Sequence, residues 1–215
     1  FAQSKMHAAG VSCGDCHAPH SGELLRSGNE VCTACHSPTG YSRYPGLRSK
    51  VYDSPEHHFH GAAEAREQTQ PAGSGTACVD CHMTARTYMG IDQRRDHSFR
   101  IPRPDLSVDF DVPNACGNCH QDHGDEWAVK QITAHTGREP DPHFVSAFAP
   151  AREGKRRAHA GIRKLLKTGG QPGIVRATAL SLLGQYDAGA PELRLGLTDP
   201  DPLVRLGALR GVAAS

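Results

Sequence analysis

The feature that most constrains this chain is the motif Cys-x-x-Cys-His, which occurs four times in 215 residues, as CGDCH, CTACH, CVDCH and CGNCH. Every cysteine of the chain belongs to one of these motifs. The pairs are Cys13 and Cys16, Cys32 and Cys35, Cys78 and Cys81, and Cys116 and Cys119. Any fold of this chain has to accommodate four copies of one local site.

Three chemistries use a pair of cysteines at this spacing. A structural zinc site takes two such pairs, and the 15 residues between Cys16 and Cys32 fall within the zinc-ribbon pattern. A disulfide between cysteines three positions apart would close a very small ring and constrain little. In covalent c-type haem attachment, the two thiols bond to the porphyrin vinyl groups and the adjacent imidazole binds the iron.

The histidine that ends each motif distinguishes among these chemistries. With 14 histidines in 215 residues, the chance that one follows all four second cysteines is roughly 2 in 100,000 for a random draw. Neither zinc nor a disulfide needs a histidine at that position. The sequence therefore predicts four covalently attached haem c groups, each with its iron bound by the histidine of the motif. These histidines are His17, His36, His82 and His120.

The composition agrees with this prediction. Only 37% of the residues are apolar, the mean hydropathy is −0.52, and the chain has one Trp and six Phe. The first half is too poor in core-forming residues to fold alone, so we expect sparse secondary structure there and a haem-free chain that is largely unfolded. With 24 basic and 23 acidic side chains, nothing indicates nucleic-acid binding, and no apolar run approaches a membrane span.

Each iron needs a second axial ligand if it is to be six-coordinate. Imidazole is the usual choice at low potential, and ten histidines remain beyond the four of the motifs. The strongest candidates are His20, His58, His60 and His97, and further candidates are His57, His7 and His123. In an extended EHHFH segment, His58 and His60 would point to one side and His57 to the other. His135, His143 and His159 follow the last motif and are predicted to be structural.

The segments GVSCGDCHAPHSG, GNEVCTACHSP, HHFH, CVDCHMTARTYMGIDQRRDHSFRIPRPDLS and PNACGNCH occur in this order over about residues 5 to 130. This string resembles the multihaem c-type cytochromes whose haem module is joined to helical repeats. The resemblance implies closely stacked haems with two histidine ligands each in a loop-rich scaffold. It also implies that His20, the HHFH cluster and His97 are ligand positions. Thr84 stands where such proteins often have proline, which leaves the ligands unaffected.

The rest of the chain has a helical pattern. Asp125 can cap a helix that ends at Gly137, and a second helix is predicted over residues 151–168, after the proline-punctuated connection REPDPHFVSAFAP. VRATALSLLG at 175 then recurs as VRLGALRGVA at 204, which is typical of a HEAT-like repeat. The predicted fold is therefore mainly α with much irregular loop: a tetrahaem cytochrome c domain over 1–124 and an α-helical region over 125–215 that ends in HEAT-like repeats.

The predicted function is electron transfer, with redox proteins as donors and acceptors, rather than catalysis. The alternative is a redox enzyme of the nitrite or hydroxylamine type, which would need one open five-coordinate haem. Because haem is attached outside the cytoplasmic membrane, we expect a periplasmic, outer-surface or extracellular prokaryotic protein. The helical repeats could bind a protein partner. If His7 served an iron of the next subunit, identical chains could also join into a filament, and either arrangement would suit an extracellular respiratory chain.

Overall fold

The computed structural model of the chain describes residues 1–61 and 75–214. The chain divides into two compact units, Phe1–Pro140 and Asp141–Ser215. The predicted boundary between residues 124 and 125 falls after the first residue of the helix Gly124–Thr136. This helix packs against the helix Pro104–Phe110 and belongs to the first unit. The assignment of domain functions to the two parts stays a prediction.

The first unit consists mostly of turns and short helices. The helices are α1 (Lys5–Ala8), α2 (Glu30–Thr33), α3 (Pro55–His58), α4 (Cys78–His82), α5 (Pro104–Phe110) and α6 (Gly124–Thr136). Strands β1 (Ala85–Tyr88) and β2 (Asp92–Arg95) form an antiparallel hairpin with Ala85 opposite Arg95. Because helices α1 to α5 have four to seven residues, they depend on their surroundings for stability.

Proline and left-handed residues set the ends of two of these helices. Pro55 and Pro104 occupy the first position of α3 and α5, where the missing backbone N–H costs nothing. Phe59 ends α3 in the left-handed region with φ 67°, and Asp111 ends α5 with φ 53°. The EHHFH segment is therefore not extended, and the alternation assumed for its histidines does not apply.

The second unit is helical throughout its length. Its helices are α7 (Val145–Arg152), α8 (Ala158–Lys167), α9 (Gly173–Gly184), α10 (Pro191–Leu197) and α11 (Pro202–Val212). The connection predicted before residue 151 contains α7, which carries Pro150 inside it. Phe148 and Ala151 of α7 are buried in the core, so packing compensates for the hydrogen bond that proline removes. The predicted helix over residues 151–168 is correspondingly shorter, since α8 begins at Ala158.

The hydrophobic core lies in the second unit. Of the 15 buried hydrophobic side chains among the described residues, 14 belong to it, and Ala128 in α6 is the exception. Helices α9 and α11 approach at small residues, since a Cβ on Gly184 would lie 2.0 Å from the Gly211 carbonyl oxygen. That the helices form a HEAT-like repeat stays a prediction. No helix in the described part of the chain is long and apolar enough to cross a membrane.

Candidate haem sites

Each Cys-x-x-Cys-His motif forms a single helical turn. In three of them the histidine N–H donates to the carbonyl of the first cysteine at 2.9 Å, and the third motif is helix α4 itself. This turn brings two thiols and one imidazole to a common site. No two of the eight cysteines form a disulfide. Within residues 1–61 and 75–214, no three or more His, Cys, Asp or Glu side chains are arranged so that they alone could hold a metal ion.

The four sites follow one another in space in chain order. The thiol of Cys16 interacts electrostatically with that of Cys35, and Cys32 is hydrogen-bonded to Cys78. That hydrogen bond raises the pKa of Cys32 and lowers the pKa of Cys78. Burial raises the pKa of Cys81 to about 11, and the neighbouring thiol of Cys116 adds to the effect. The first site therefore adjoins the second, the second adjoins the third, and the third adjoins the fourth.

Asn29 fixes the second site to the third. Its side-chain oxygen accepts a hydrogen bond from the Cys78 N–H at 2.9 Å. Its amide donates to the carbonyl of Thr76 at 3.0 Å and to Asp53 at 2.9 Å. The residue that precedes helix α2 thus holds the start of helix α4, so the two motifs are kept at a set spacing.

Three motif histidines face a second histidine across a gap. The ring centroids are 6.3 Å apart for His17 and His97, 6.0 Å for His57 and His82, and 6.0 Å for His60 and His120. The planes of the three pairs are tilted by 31°, 11° and 21°. Two imidazoles on opposite sides of one metal ion, each nitrogen about 2 Å from it, place their ring centres about 6 Å apart. The residues therefore fit a haem with two histidine ligands at three sites.

Backbone carbonyls orient several of these rings. The Nδ1–H of His17 donates to the Gly22 carbonyl, and that of His82 to the Arg100 carbonyl, both at 2.7 Å. His97 donates in the same way to Arg95 at 2.9 Å, and His60 donates to His58 at 2.6 Å. A proton held on Nδ1 leaves the lone pair of Nε2 available for a metal ion. Four of the six paired histidines are thus in the tautomer that binds iron through Nε2.

Burial favours the neutral form of three further histidines at the sites, and the neutral form of imidazole is the one that binds a metal. Desolvation lowers the pKa of His36 and of His120. The same effect, with a contribution from the Lys50 ammonium group, lowers the pKa of His57 to about 4. The Lys50 Nζ lies 3.2 Å from His57 Nδ1. That contact would have to give way when His57 binds iron through Nε2, because Nδ1 then carries the proton.

The other candidate ligands lie outside these pairs. His58 accepts the His60 N–H on its Nδ1 at 3.2 Å, so its proton sits on Nε2 and it is less suited to ligation through that atom. His20 is exposed, and His7 is exposed with its ring against Phe1 at 5.3 Å. His123 stacks on Trp127 at 4.5 Å, although its ring is also 6.0 Å from that of His120. The identity of the ligands stays a prediction at all four sites.

Two aromatic residues at the sites were not predicted from the sequence. Trp127 of α6 lies 4.8 Å from the His120 ring, and Tyr52 lies 5.2 Å from the His36 ring. Trp127 follows His120 by seven residues, and Tyr52 precedes the EHHFH segment, so neither stands within a motif. No local pattern identifies them, because both contacts depend on how separate segments come together.

Comparison with protein families gives one match. The family model for outer membrane cytochromes, described as MtrC/MtrF-like, domains II/IV, matches residues 8–146, which is 139 of the 215 residues. The matched range contains all four motifs and helix α6. No curated protein and no solved structure matches the chain.

Proposed function

Because the chain belongs to the MtrC/MtrF-like outer membrane cytochromes, we propose that it transfers single electrons through four covalently attached haem c groups. The observation that carries this proposal is the set of three histidine pairs with ring centroids 6.0–6.3 Å apart, each of which includes one motif histidine. Haem iron supplies one-electron oxidation and reduction when it is bound at such sites.

The eight thiols and the paired histidines would hold the haems. The first site consists of Cys13, Cys16, His17 and His97; the second of Cys32, Cys35 and His36; the third of Cys78, Cys81, His82 and His57; and the fourth of Cys116, Cys119, His120 and His60. The thioether links and the motif histidine come from one helical turn, whereas the second histidine comes from a distant segment. Each complete site therefore also ties two parts of the first unit together.

The chain contributes position and ligand identity to electron transfer. Backbone carbonyls hold the rings of His17, His82, His97 and His60, so these rings have little freedom to move when the iron changes charge. A ligand set that stays in place keeps the reorganisation that accompanies electron transfer small. The proximity of thiols from successive sites supports transfer along the order first, second, third, fourth.

The partners and the location follow from the same proposal. An electron carrier needs a donor and an acceptor, and redox proteins are the partners we propose. The family is described as outer membrane cytochromes, which supports a place on the outer surface or outside the cell in an extracellular respiratory chain. The helical second unit offers a surface for a protein partner.

Mass spectrometry of the denatured holoprotein tests the proposal directly. We expect the mass of the chain plus four haems, because each pair of thiols takes one covalent haem and no thiol is left over. Reductive titration should then show four one-electron steps. A chain with two or fewer haems and with bound zinc would contradict the proposal.

A histidine substitution tests the ligand pairs. His97→Ala removes the partner of His17, so one of the four haems should change from low-spin to high-spin in the oxidised protein. His159→Ala is the matched control, because His159 lies in the second unit, where its Nδ1–H donates to the Arg156 carbonyl at 3.1 Å. Low-temperature electron paramagnetic resonance measures both outcomes. An unchanged spectrum for His97→Ala would remove His97 from the ligand set.

A further inference from the structure

Residues 95–100, which we call the linking segment, begin at the end of strand β2 and contact two of the candidate haem sites. The carbonyl of Arg95, the first residue of the segment, accepts the Nδ1–H of His97 at 2.9 Å. The carbonyl of Arg100, the last residue, accepts the Nδ1–H of His82 at 2.7 Å. His97 belongs to the histidine pair at the first site and His82 to the pair at the third. One short segment therefore orients a ring at each of two sites.

We propose that the linking segment positions both rings together and that Arg95 is the residue that anchors it. This inference rests on the proposed function, since it concerns axial ligands of two haems. A carbonyl that accepts the Nδ1–H of a ligand ring fixes the orientation of the ring and raises the basicity of its other nitrogen. Hydrogen bonds of this kind help to set the reduction potential of a haem. The linking segment thus acts on the potentials of the first and third haems at the same time.

The Arg95 side chain ties the linking segment to helix α4. Its Nη1 donates to the carbonyls of Val79 at 3.3 Å and Met83 at 3.2 Å, near the C-terminal end of the helix. The same nitrogen lies 3.8 Å from the carboxylate of Asp80, whose side chain is largely buried. Arginine is well suited to this position, because its N–H groups can bind the last carbonyls of a helix. Since α4 is the third motif, Arg95 fixes the start of the linking segment to the third site.

Further hydrogen bonds keep the rest of the linking segment in one shape. The Asp96 N–H donates to the Thr84 carbonyl at 3.0 Å, and the Arg100 N–H donates to the His82 carbonyl at 3.1 Å. The Asp96 carboxylate accepts the Ser98 N–H at 2.8 Å and the Nε–H of Arg100 at 3.1 Å. The segment is therefore a closed turn with little freedom of its own, so a shift at one end is passed to the other.

The sign of the change in potential separates positioning from a plain effect of charge. Removing a positive charge near a haem favours the oxidised iron, so loss of charge alone lowers the reduction potential. Loss of the Nδ1 hydrogen bonds makes the ligand rings less basic, which favours the reduced iron and raises the potential. A positioning role for Arg95 therefore requires that its removal raise the potentials of both haems.

Redox titration of the holoprotein, followed by proton NMR of the haem methyl groups, measures each haem separately. In Arg95→Ala we expect two haems to shift to higher potential and the other two to keep their wild-type values. Contacts of the methyl groups with the rings of His82 and His97 identify the two that shift. Arg95→Lys should restore the wild-type potentials in part, because all three side-chain contacts of Arg95 come from a single nitrogen.

Arg94→Ala is the matched control, because it removes the same charge from the neighbouring position of β2. The Arg94 side chain makes its contacts inside the hairpin. Its Nε donates to Asp92 at 2.7 Å, and its guanidinium group lies 4.6 Å from the centre of the Tyr88 ring. We expect no rise in the potential of any haem in this variant. Mass spectrometry should show four haems in both arginine variants.

A measurement on the wild-type protein tests the inference without any substitution, and it decides the matter if Arg95→Ala fails to fold or to bind four haems. Nitrogen-15 NMR of the reduced wild-type protein should show that the Nδ1–H protons of His82 and His97 exchange slowly with water. Slow exchange is expected because each proton is held by a carbonyl of the linking segment.

Three results would overturn the inference. Rapid exchange of both Nδ1–H protons in the wild-type protein would mean that the linking segment does not hold the rings. A rise in the potential of one haem only, or of none, would show that Arg95 does not position ligands at two sites. Equal changes in Arg94→Ala and Arg95→Ala would reduce Arg95 to a surface charge. By contrast, fewer than four haems in the wild-type mass would count against the proposed function itself.

Discussion

Gly75 and His60 are in close contact at the fourth site. Gly75 is in the left-handed region with φ +69°, and a Cβ added to it would lie 2.8–3.0 Å from three atoms of the His60 ring. The ring would have to move, and it is held by its hydrogen bond to the His58 carbonyl. A small residue at position 75 is therefore part of the placement of His60 opposite His120.

We predict that Gly75→Ala makes the haem proposed for the fourth site high-spin, because the methyl group displaces His60 from its place opposite His120. Gly90→Ala is the matched control, since Gly90 has φ +81° but nothing within 4 Å of its added Cβ. Both substitutions carry a backbone strain of about 1–2 kcal/mol, so only the steric contact differs. Electron paramagnetic resonance of the two variants measures the spin states. Equal numbers of low-spin haems in both would argue against this role of Gly75.

At the scale of residues, only the local parts of each proposed site can be inferred from the sequence. The two thiols and the histidine of a motif stand in five consecutive positions, so the haem chemistry proposed for them follows from the motif alone. The second histidine depends on the fold, as with His17 and His97, which are 80 positions apart. Within the EHHFH segment, the ring of His57 lies 6.0 Å from that of His82. This segment forms the α3 turn and ends at left-handed Phe59, whereas the sequence pattern predicts an extended segment.

The contact between α9 and α11 depends on the absence of side chains at the crossing. A Cβ on Gly184 would meet the carbonyl oxygen of Gly211 at 2.0 Å, and one on Gly207 would meet that of Ala177 at 2.3 Å. These are backbone atoms that cannot move without separating the helices. The glycines lower the intrinsic helix propensity, and the close packing of Leu180, Leu183 and Val204 offsets that loss.

We predict that Gly184→Ala lowers the free energy of unfolding of the second unit by about 1–3 kcal/mol or more, since overpacking forces the helices apart. Gly161→Ala in α8 is the control. Its Cβ would lie 3.7 Å from the nearest atom of Ala147, which is ordinary contact, so this change should stabilise the unit by about 0.5–1 kcal/mol. Thermal unfolding, followed by circular dichroism, compares the stability of each variant with that of the wild type. A Gly184→Ala protein as stable as wild type would contradict the packing described for α9 and α11.

An ion pair joins the start of α9 to the turn before α11. Arg176 is hydrogen-bonded to Asp199, and the Asp201 N–H donates to Asp199 at 2.9 Å. The backbone hydrogen bond from Asp201 and the pairing with Arg176 hold the pKa of Asp199 below its ordinary value. The pKa of Asp199 is lower in the folded protein than in the unfolded chain, where it is about 4. The contribution of Asp199 to stability is therefore complete above about pH 4 and is lost as the pH falls below that value.

We therefore predict that Asp199→Asn flattens the dependence of stability on pH below about 4, because the substituted side chain no longer titrates. At neutral pH the variant should be less stable than wild type. Chemical unfolding of both proteins at pH 7, 4 and 3, followed by circular dichroism, measures the difference. A wild-type slope that Asp199→Asn does not reduce would show that other carboxylates govern this pH range.

At the scale of elements, long periodic segments were predicted better than short ones. The helix proposed from Asp125 to Gly137 corresponds to α6, although Asp125 lies inside the first turn and accepts a hydrogen bond from Asn114 at 2.7 Å. Helix α7 was missed because Pro150 indicated a break, whereas the buried Phe148 sustains the helix. Propensity is a weak guide where tertiary packing supplies most of the stability.

Over the whole molecule, the two units obtain their stability from different sources. The second unit buries side chains such as Ile162, Leu183 and Leu193 in a continuous core. Among the described residues of the first unit, Ala128 is the one buried hydrophobic side chain. The first unit, which has 140 residues, is held together instead by the hydrogen bonds of Asn29, by the histidine pairs and by short helices. Four haems would supply the apolar mass that this unit lacks.

We predict that removing haem unfolds the first unit and leaves the second one folded. In a chain with all eight cysteines replaced by serine, amide hydrogen exchange should show protection over residues 141–215 and almost none over residues 1–140. A unit without a core cannot offset the conformational entropy of its chain, whereas the second unit keeps its core whether or not haem is attached. The holoprotein is the control and should be protected in both units. Protection of residues 1–140 in the haem-free chain would mean that turns and hydrogen bonds are enough to fold them. In that case, the haems would serve electron transfer without being required for the structure.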